Sequence, residues 1–267
     1  MVDSNFITIM HQIAGIIMTK TAKKYKAYKK PPIIEAVIEI RFADSINDQQ
    51  LEKLISKQKS KFNIQKIEEV ELKISPQAEA SAHAETKTNL VGYKLISNTD
   101  TSNIVQVKNN AISVSRLPPY EGWPALLDDL KKYYSWYTNK KFKPLNRIGV
   151  RYINRIDIPA DEGKIEIEDY FKIFPHVPKT KFPDMNRFLV QTVAAIDNDK
   201  LLTINLHSTP SPLLKHVSMI FDLDVAQQTN LPINESKLFE LLEVIRDKKD
   251  AFFEDLLTPK CKRLFSL

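Results

Sequence analysis

The stretch LNRIGVRYINRIDIP, from Leu145 to Pro159, alternates between apolar and polar residues over almost its whole length. Because successive side chains of a strand point to opposite faces of a sheet, this period of two predicts one long strand. One face carries large apolar residues: Ile148, Val150, Tyr152, Ile156 and Ile158. The other face carries Gly149, Ile153, Asp157 and an arginine ladder, which we define as Arg147, Arg151 and Arg155. Neighbouring rungs of this ladder are about 13 Å apart along the strand, too far for one small anion to contact all three.

Upstream of this strand, the first half of the chain begins with an alternating segment at residues 33–42 and a helix predicted over residues 47–62. Alternation and turn residues then predict four strands, at residues 64–74, 90–97, 103–108 and 111–117. The polar residues 76–89 between them are expected to form a loop. An apolar stripe at helical spacing predicts a core helix over residues 123–137.

The second half repeats the same order of elements after the central strand. It predicts a short helix at residues 167–174, three strands at residues 187–196, 201–207 and 216–226, and a long amphipathic helix at residues 235–257. We therefore expect an α+β fold of two tandem strand, helix, antiparallel sheet and helix units, spanning residues 31–144 and 145–267. Such units resemble helix-grip folds, either TATA-binding-protein-like or Bet v 1-like.

The positive charge of the chain is concentrated at its amino end. The chain has a net charge of +6, from 39 basic and 33 acidic residues. Residues 1–30 contain one acid, Asp3, and six lysines: Lys20, Lys23, Lys24, Lys26, Lys29 and Lys30. The remainder holds 39 − 6 = 33 bases and 33 − 1 = 32 acids, so it is nearly neutral. We expect residues 1–30 to form a flexible basic arm with weak, salt-sensitive affinity for nucleic acid.

Cysteine usage and hydropathy set the expected compartment. The single cysteine, Cys261, excludes an internal disulfide and a cysteine-based zinc site, and it is typical of a reducing compartment. The apolar run at residues 6–17 is shorter than the roughly 20 residues needed to span a bilayer, and no basic residue precedes it. We therefore expect a cytoplasmic protein without a membrane contact.

The sequence lacks the usual motifs for cofactors and metals. Its five glycines are isolated, which excludes a phosphate-cradling P-loop and a dinucleotide fingerprint. Its five histidines lack helical metal-ligand spacing, and no serine-hydrolase elbow occurs. We expect no cofactor and no resident metal.

The acidic pair Asp222 and Asp224, in MIFDLDV, is the one acidic constellation, and alternation places both on one face of a strand. Three interpretations remain open. The pair could hold Mg²⁺ with the phosphates of a nucleotide, or it could form a charge network with the arginine ladder across neighbouring strands. It could also belong to a binding surface with polar residues of other strands: Glu35, Glu39, Thr203, Asn205 and His207.

Three blocks carry a resemblance to a known family: PPIIEAVIEIRF at Pro31 to Phe42, SRLPPYEGW at Ser115 to Trp123, and RIGVRYINRIDIP at Arg147 to Pro159. In their order they resemble a sporadically distributed family of uncharacterised bacterial proteins, over about residue 31 to the end. The resemblance implies no catalytic residue. Its sporadic distribution implies a mobile-element or defence-type locus.

Together these features lead us to expect a non-enzymatic binding protein, an accessory or regulatory partner of another intracellular protein, with a homodimer compatible with the sequence. The alternative is a nucleic-acid or nucleotide binder that uses the arginine-lined face and the basic arm. A third hypothesis is a phosphate-handling enzyme that uses Asp222 and Asp224.

Overall fold

The computed structural model describes residues 28–75, 83–160, 164–178 and 187–266 of the chain. They form an α+β fold with a nine-stranded sheet in the order β2-β3-β4-β5-β1-β6-β9-β8-β7. The strands are β1 Ile33–Phe42, β2 Phe62–Ser75, β3 His83–Ser97, β4 Asn103–Lys108, β5 Ala111–Arg116, β6 Leu145–Pro159, β7 Leu189–Ala195, β8 Lys200–Thr209 and β9 His216–Gln227. The helices are α1 Asp48–Ser56, α2 Trp123–Thr138, α3 Glu235–Leu256 and α4 Pro259–Ser266, with a 3₁₀ turn at Ile167–Asp169.

The chain divides into two compact units at β1 and at the start of β6. The central unit is Ile38–Leu145, and the terminal unit joins the chain up to Val37 to the chain from Asn146 onward. In the central unit, β2 to β5 form an antiparallel meander. Helix α1 is closed by a capping box between Asn47 and Gln50, and the ring of Tyr137 on α2 stacks on Phe42 at 5.0 Å between centroids.

In the terminal unit, β6, β9, β8 and β7 pair antiparallel in that order. Burial alternates along β6 as the sequence predicts: its large apolar residues are buried, whereas Arg151 and Arg155 are exposed. Helix α3 begins after the N-cap Asn234 and packs on the buried face of the sheet, where its Phe253 lies 6.0 Å from Phe221 of β9. A sheet with helices on one side leaves its other face open to a partner.

Buried between α3 and the sheet is a lysine that the sequence analysis did not single out. Lys249 is 3% exposed, and its Nζ lies 3.3 Å from the centre of the Tyr152 ring and forms an ion pair with Asp250. Burial lowers the pKa of Lys249, against the opposing effect of Asp250. The ammonium is therefore held by a cation–π contact and a single carboxylate.

The predicted bounds of β4 and β6 are confirmed, and most other predicted elements are present with shifted ends. The loop prediction for residues 76–89 was wrong for residues 83–89, because β3 starts at His83 and continues the hairpin with β2, and residues 76–82 lie outside the described part of the chain. The predicted helix at residues 167–174 is only a 3₁₀ turn, Ile167–Asp169. The first helix ends at Ser56 rather than at residue 62, and α4 was not predicted. No helix in the described part of the chain combines the length and apolarity needed to cross a bilayer.

Candidate binding face

The open face of the terminal unit is the sheet surface that points away from α3. The strand registers define its rows of side chains. In one row Arg151 lies opposite Asp224, which lies opposite Thr203 and then Val193. In the next row the residues are Ile153, Asp222, Asn205 and Gln191. The sequence predicts Arg151, Asp222, Asp224 and Asn205 as residues of the candidate binding surface, and the fold brings these four together.

Arg151 is fixed on this face by a two-point ion pair. Its Nε donates to Oδ1 of Asp222 at 2.8 Å and its Nη2 donates to Oδ2 at 2.7 Å. Asn205 donates to the same Oδ2 at 3.0 Å, and Gln191 donates to Asn205 at 2.7 Å. A hydrogen-bond chain therefore links β6, β9, β8 and β7. The pair is asymmetric, because the side chain of Arg151 is 47% exposed and that of Asp222 only 5%.

Arg147 reaches its carboxylate by lying across Gly149. Its Nη2 is 2.5 Å from Oδ2 of Asp224, which the register places opposite Arg151, four residues further along β6. A Cβ built on Gly149 would lie 2.5 Å from Nη1 of Arg147. The glycine at this position therefore makes room for the guanidinium of Arg147. Arg147 therefore fills the space beside Gly149, and that space is not open for a ligand to approach Arg151.

The third rung of the ladder is held more loosely. Arg155 is 40% exposed and contacts Asp157, two residues along its own strand, at 3.3 Å. Asp157 also accepts a hydrogen bond from Ser218 of β9. The three arginines therefore differ: Arg147 is largely covered, Arg151 is exposed but fixed across strands, and Arg155 pairs, among the described residues, with Asp157 of its own strand.

The charges around Arg151 favour its protonated form. Hydrogen bonding to Asp222 raises the pKa of Arg151, with smaller contributions from the charges of Asp222, Asp224 and Glu35, against an opposing effect of burial. Glu35 is thus electrostatically part of the site. Glu39 belongs instead to the central unit, where it forms an ion pair with Arg41 at 3.0 Å.

His207 lies on the open face between Ile220 and Leu189 in the strand registers. Its Nδ1 is buried without a hydrogen-bond partner. Gln191, which completes the hydrogen-bond chain, was missed at the sequence level. Its position opposite Asn205 depends on the register of the β7–β8 hairpin, which the turn at residues 196–199 sets.

The end of the predicted basic arm contacts the folded body. Tyr28 donates a hydrogen bond to Glu254 at 2.6 Å, and its ring packs edge-on against Phe265 at 5.4 Å. The amide of Lys30 donates to the carbonyl of Phe265 at 3.1 Å. Lys29 and Lys30 are exposed, and the other four lysines of the arm, Lys20, Lys23, Lys24 and Lys26, lie outside the described residues.

The chemistry available to Asp222 is limited by its partners, since both of its oxygens accept hydrogen bonds from Arg151 or Asn205. Among the residues that the structure describes, no three His, Cys, Asp or Glu side chains are grouped so as to hold a metal ion. Counted over the open face of the terminal unit, three arginines meet four carboxylates: Glu35, Asp157, Asp222 and Asp224. The sum of 3 − 4 = −1 makes the face slightly acidic.

Comparison with known proteins adds no assignment: no family model matches this sequence, and no curated protein matches it.

Proposed function

We propose that this protein is a non-enzymatic binding protein, and that another protein binds to the open face with Arg151 as the central contact. One observation carries the proposal. The guanidinium of Arg151 is fixed by two hydrogen bonds to a buried carboxylate and yet remains 47% exposed on the side chain. An arginine that is ordered before binding loses little conformational entropy when a partner arrives.

The remaining donors of Arg151 support this role. A guanidinium has five N–H groups, and the bonds to Asp222 use two, which leaves 5 − 2 = 3 without a partner among the described residues. Ile153 is half-buried two residues along the same face of β6, Ile220 is half-buried opposite Arg155, and Leu201 is 38% exposed two strands away. An arginine on a face that also carries partly exposed apolar side chains is typical of the energetic centre of a protein interface.

The local charge favours a protein partner over a nucleic acid. Arg151 sits beside Asp222, Asp224 and Glu35, so a phosphate approaching its free N–H groups would also approach three carboxylates. Backbone carbonyls and aromatic faces of a protein carry no full negative charge and avoid this repulsion. The alternative function, nucleic-acid or nucleotide binding, is supported by the lysines of residues 1–30 rather than by the open face.

The hypothesis of a phosphate-handling enzyme has less support. Mg²⁺ would need carboxylate oxygens of Asp222 that now accept hydrogen bonds from Arg151 and Asn205. Binding the ion there would first require the two hydrogen bonds from Arg151 to Asp222 to break.

The proposals for the tandem architecture, the compartment and the type of locus rest on the sequence. We propose that residues 31–144 and 145–267 are tandem helix-grip-like units, because each begins with a strand, continues through a short helix or 3₁₀ turn and antiparallel strands, and reaches a long helix. The protein would act in the cytoplasm as an accessory or regulatory partner within a mobile-element or defence-type locus, as the resemblance of its three sequence blocks implies.

The test is purification from the native locus together with the products of the neighbouring genes. Stable co-elution of one neighbouring protein at high salt supports the proposal, whereas nucleic acid that is lost as salt rises supports the alternative. Binding of the purified pair is then titrated with Arg151→Gln. We expect a loss of about 2 kcal/mol, or about 30-fold in Kd.

The matched control is Arg155→Gln, which removes an exposed arginine from the same strand and face but breaks only the contact with Asp157. It should leave Kd within about threefold of the wild type, which is under about 1 kcal/mol. Both variants are checked by circular dichroism. Unchanged affinity for Arg151→Gln, or equal losses for both variants, would remove Arg151 from the proposed interface.

A further inference from the structure

Strand β7 lies at the end of the sheet and is unusually unprotected for an edge strand. In the strand order of the described chain it has β8 on one side and no strand on the other. Its sequence, LVQTVAA, contains no charged residue and no proline. Edge strands of proteins that stay monomeric are usually blunted by charges, proline or bulges, because unpaired backbone groups attract further strands.

The backbone groups that β7 presents to this free edge follow from its pairing with β8. Ser208 donates to the carbonyl of Phe188 and Ile196 donates to that of Lys200, so the even-numbered residues of β7 hydrogen-bond to β8. Hydrogen-bonded and non-hydrogen-bonded pairs alternate in an antiparallel ladder. The N–H and C=O groups of the odd-numbered residues therefore point outward: Leu189, Gln191, Val193 and Ala195.

Two of these residues also expose large apolar side chains. Leu189 is 68% exposed and Val193 is 58% exposed, both on the open face. The edge thus combines unpaired backbone groups with uncovered apolar surface, which is the combination that β-strand addition uses.

We propose that a second copy of this chain occupies the free edge, with the two β7 strands antiparallel about a two-fold axis at Thr192. In this register Leu189 meets the partner's Ala195 and Gln191 meets the partner's Val193. The outward groups of each strand then face those of the other, since both pairs join odd-numbered residues. Four residues with two backbone groups each, 4 × 2 = 8, give about eight new hydrogen bonds.

In this register the side chains of β7 are complementary in size to those of the partner's β7. Large residues meet smaller ones: Leu189 meets Ala195, and Val190 meets Ala194. Two residues beyond the strand ends, exposed Arg187 comes next to the partner's Asp197. Asp197 is 26% exposed and is ion-paired with Lys248 at 3.0 Å and with Lys200 at 3.7 Å, so the partner's arginine would be a third cation near this carboxylate. Charge complementarity at both ends of a neutral strand favours a second copy over a charged peptide.

The inference is independent of the proposed function, because it concerns the purified protein without any partner. Its first test is the mass in solution by light scattering after size exclusion. We expect 2 × 30.8 = 61.6 kDa for the dimer at micromolar concentration. Val193→Lys places a charge on the pairing edge and should raise the dimer Kd at least tenfold.

The matched control is Leu201→Lys, which adds the same charge on the same face but on β8, away from the edge. It should leave the dimer intact. A monomeric wild type overturns the proposal. So does a dimer that Leu201→Lys dissociates and Val193→Lys does not, since that pattern indicates packing of open faces rather than pairing of edges.

A cross-link tests the register directly. Thr192→Cys puts two thiols across the two-fold axis in a non-hydrogen-bonded pair, where Cα atoms are about 4.5 Å apart and a disulfide fits. The native Cys261 is fully buried and does not interfere. Val190→Cys should not cross-link, because two-fold symmetry places it opposite the partner's Ala194. Failure of Thr192→Cys to form a disulfide-linked dimer under mild oxidation would overturn this register.

Discussion

Replacing Arg151 by Gln should destabilise the folded protein more than replacing its partner Asp222 by Asn, although each change breaks the same ion pair. The reason is the unequal exposure of the two side chains, 47% for Arg151 and 5% for Asp222. A solvent-exposed guanidinium that loses its carboxylate is rehydrated, whereas a buried carboxylate that loses its arginine has no access to water.

The magnitude follows from the contacts that each variant leaves. In Arg151→Gln the carboxylate loses two charge-assisted hydrogen bonds and keeps only the one from Asn205. Breaking a fully buried pair costs about 3–5 kcal/mol. Because Arg151 is half exposed, it is only partly desolvated in the folded protein. We therefore expect Arg151→Gln to lower the free energy of unfolding by about 2 kcal/mol. Asp222→Asn keeps an oxygen that can accept from either neighbour and should cost about 1 kcal/mol.

The assay is urea unfolding followed by circular dichroism, applied to the wild type, both single variants and the double variant. The double variant should lose about 2 kcal/mol of unfolding free energy, whereas the losses of the two single variants add up to about 3 kcal/mol. The difference is a coupling free energy of about 1 kcal/mol between the two side chains. Arg155→Gln serves as the control for removing an exposed arginine and should change stability by less than about 1 kcal/mol. Additive single effects, or a larger loss for Asp222→Asn than for Arg151→Gln, would refute the reasoning.

Three further predictions follow from single contacts. Gly149→Ala forces Arg147 off Asp224 because the new Cβ would lie 2.5 Å from its Nη1, and it should lower the free energy of unfolding by about 1–2 kcal/mol in the same urea assay. Deleting residues 1–30 should lower the melting temperature more than deleting residues 1–27, since only the longer deletion removes Tyr28, and equal melting temperatures would contradict its packing role. Burial lowers the pKa of Lys249, so the folded state binds fewer protons than the unfolded state between that pKa and 10.5. Wild-type stability, measured relative to Lys249→Met, should therefore rise with pH in this window, and a difference that stays flat or falls would show that Lys249 is not desolvated.

The sequence by itself determined the local elements and the composition of the candidate site. Alternation from Leu145 to Pro159 places eight of the 15 residues on one face of the strand and seven on the other, whatever its neighbours are, so β6 and its arginine-lined face could be predicted. The same rule placed Asp222 and Asp224 on one face of β9. Alternation failed at residues 83–89, where polar residues form the start of β3 because its partner β2 supplies the hydrogen bonds.

Only the tertiary structure decided which side chains contact each other and which strand stays unpaired at the edge of the sheet. Strand register set the diagonal from Arg151 to Asp222, the path of Arg147 over Gly149, and the placement of Gln191 opposite Asn205. The boundary between the two compact units falls within β1, between Glu35 and Glu39, and the sheet order left β7 at an edge. The physical reason is that periodicity is a property of one segment, whereas pairing depends on contacts between residues far apart in the chain. One residue of slip in a strand would exchange its two faces.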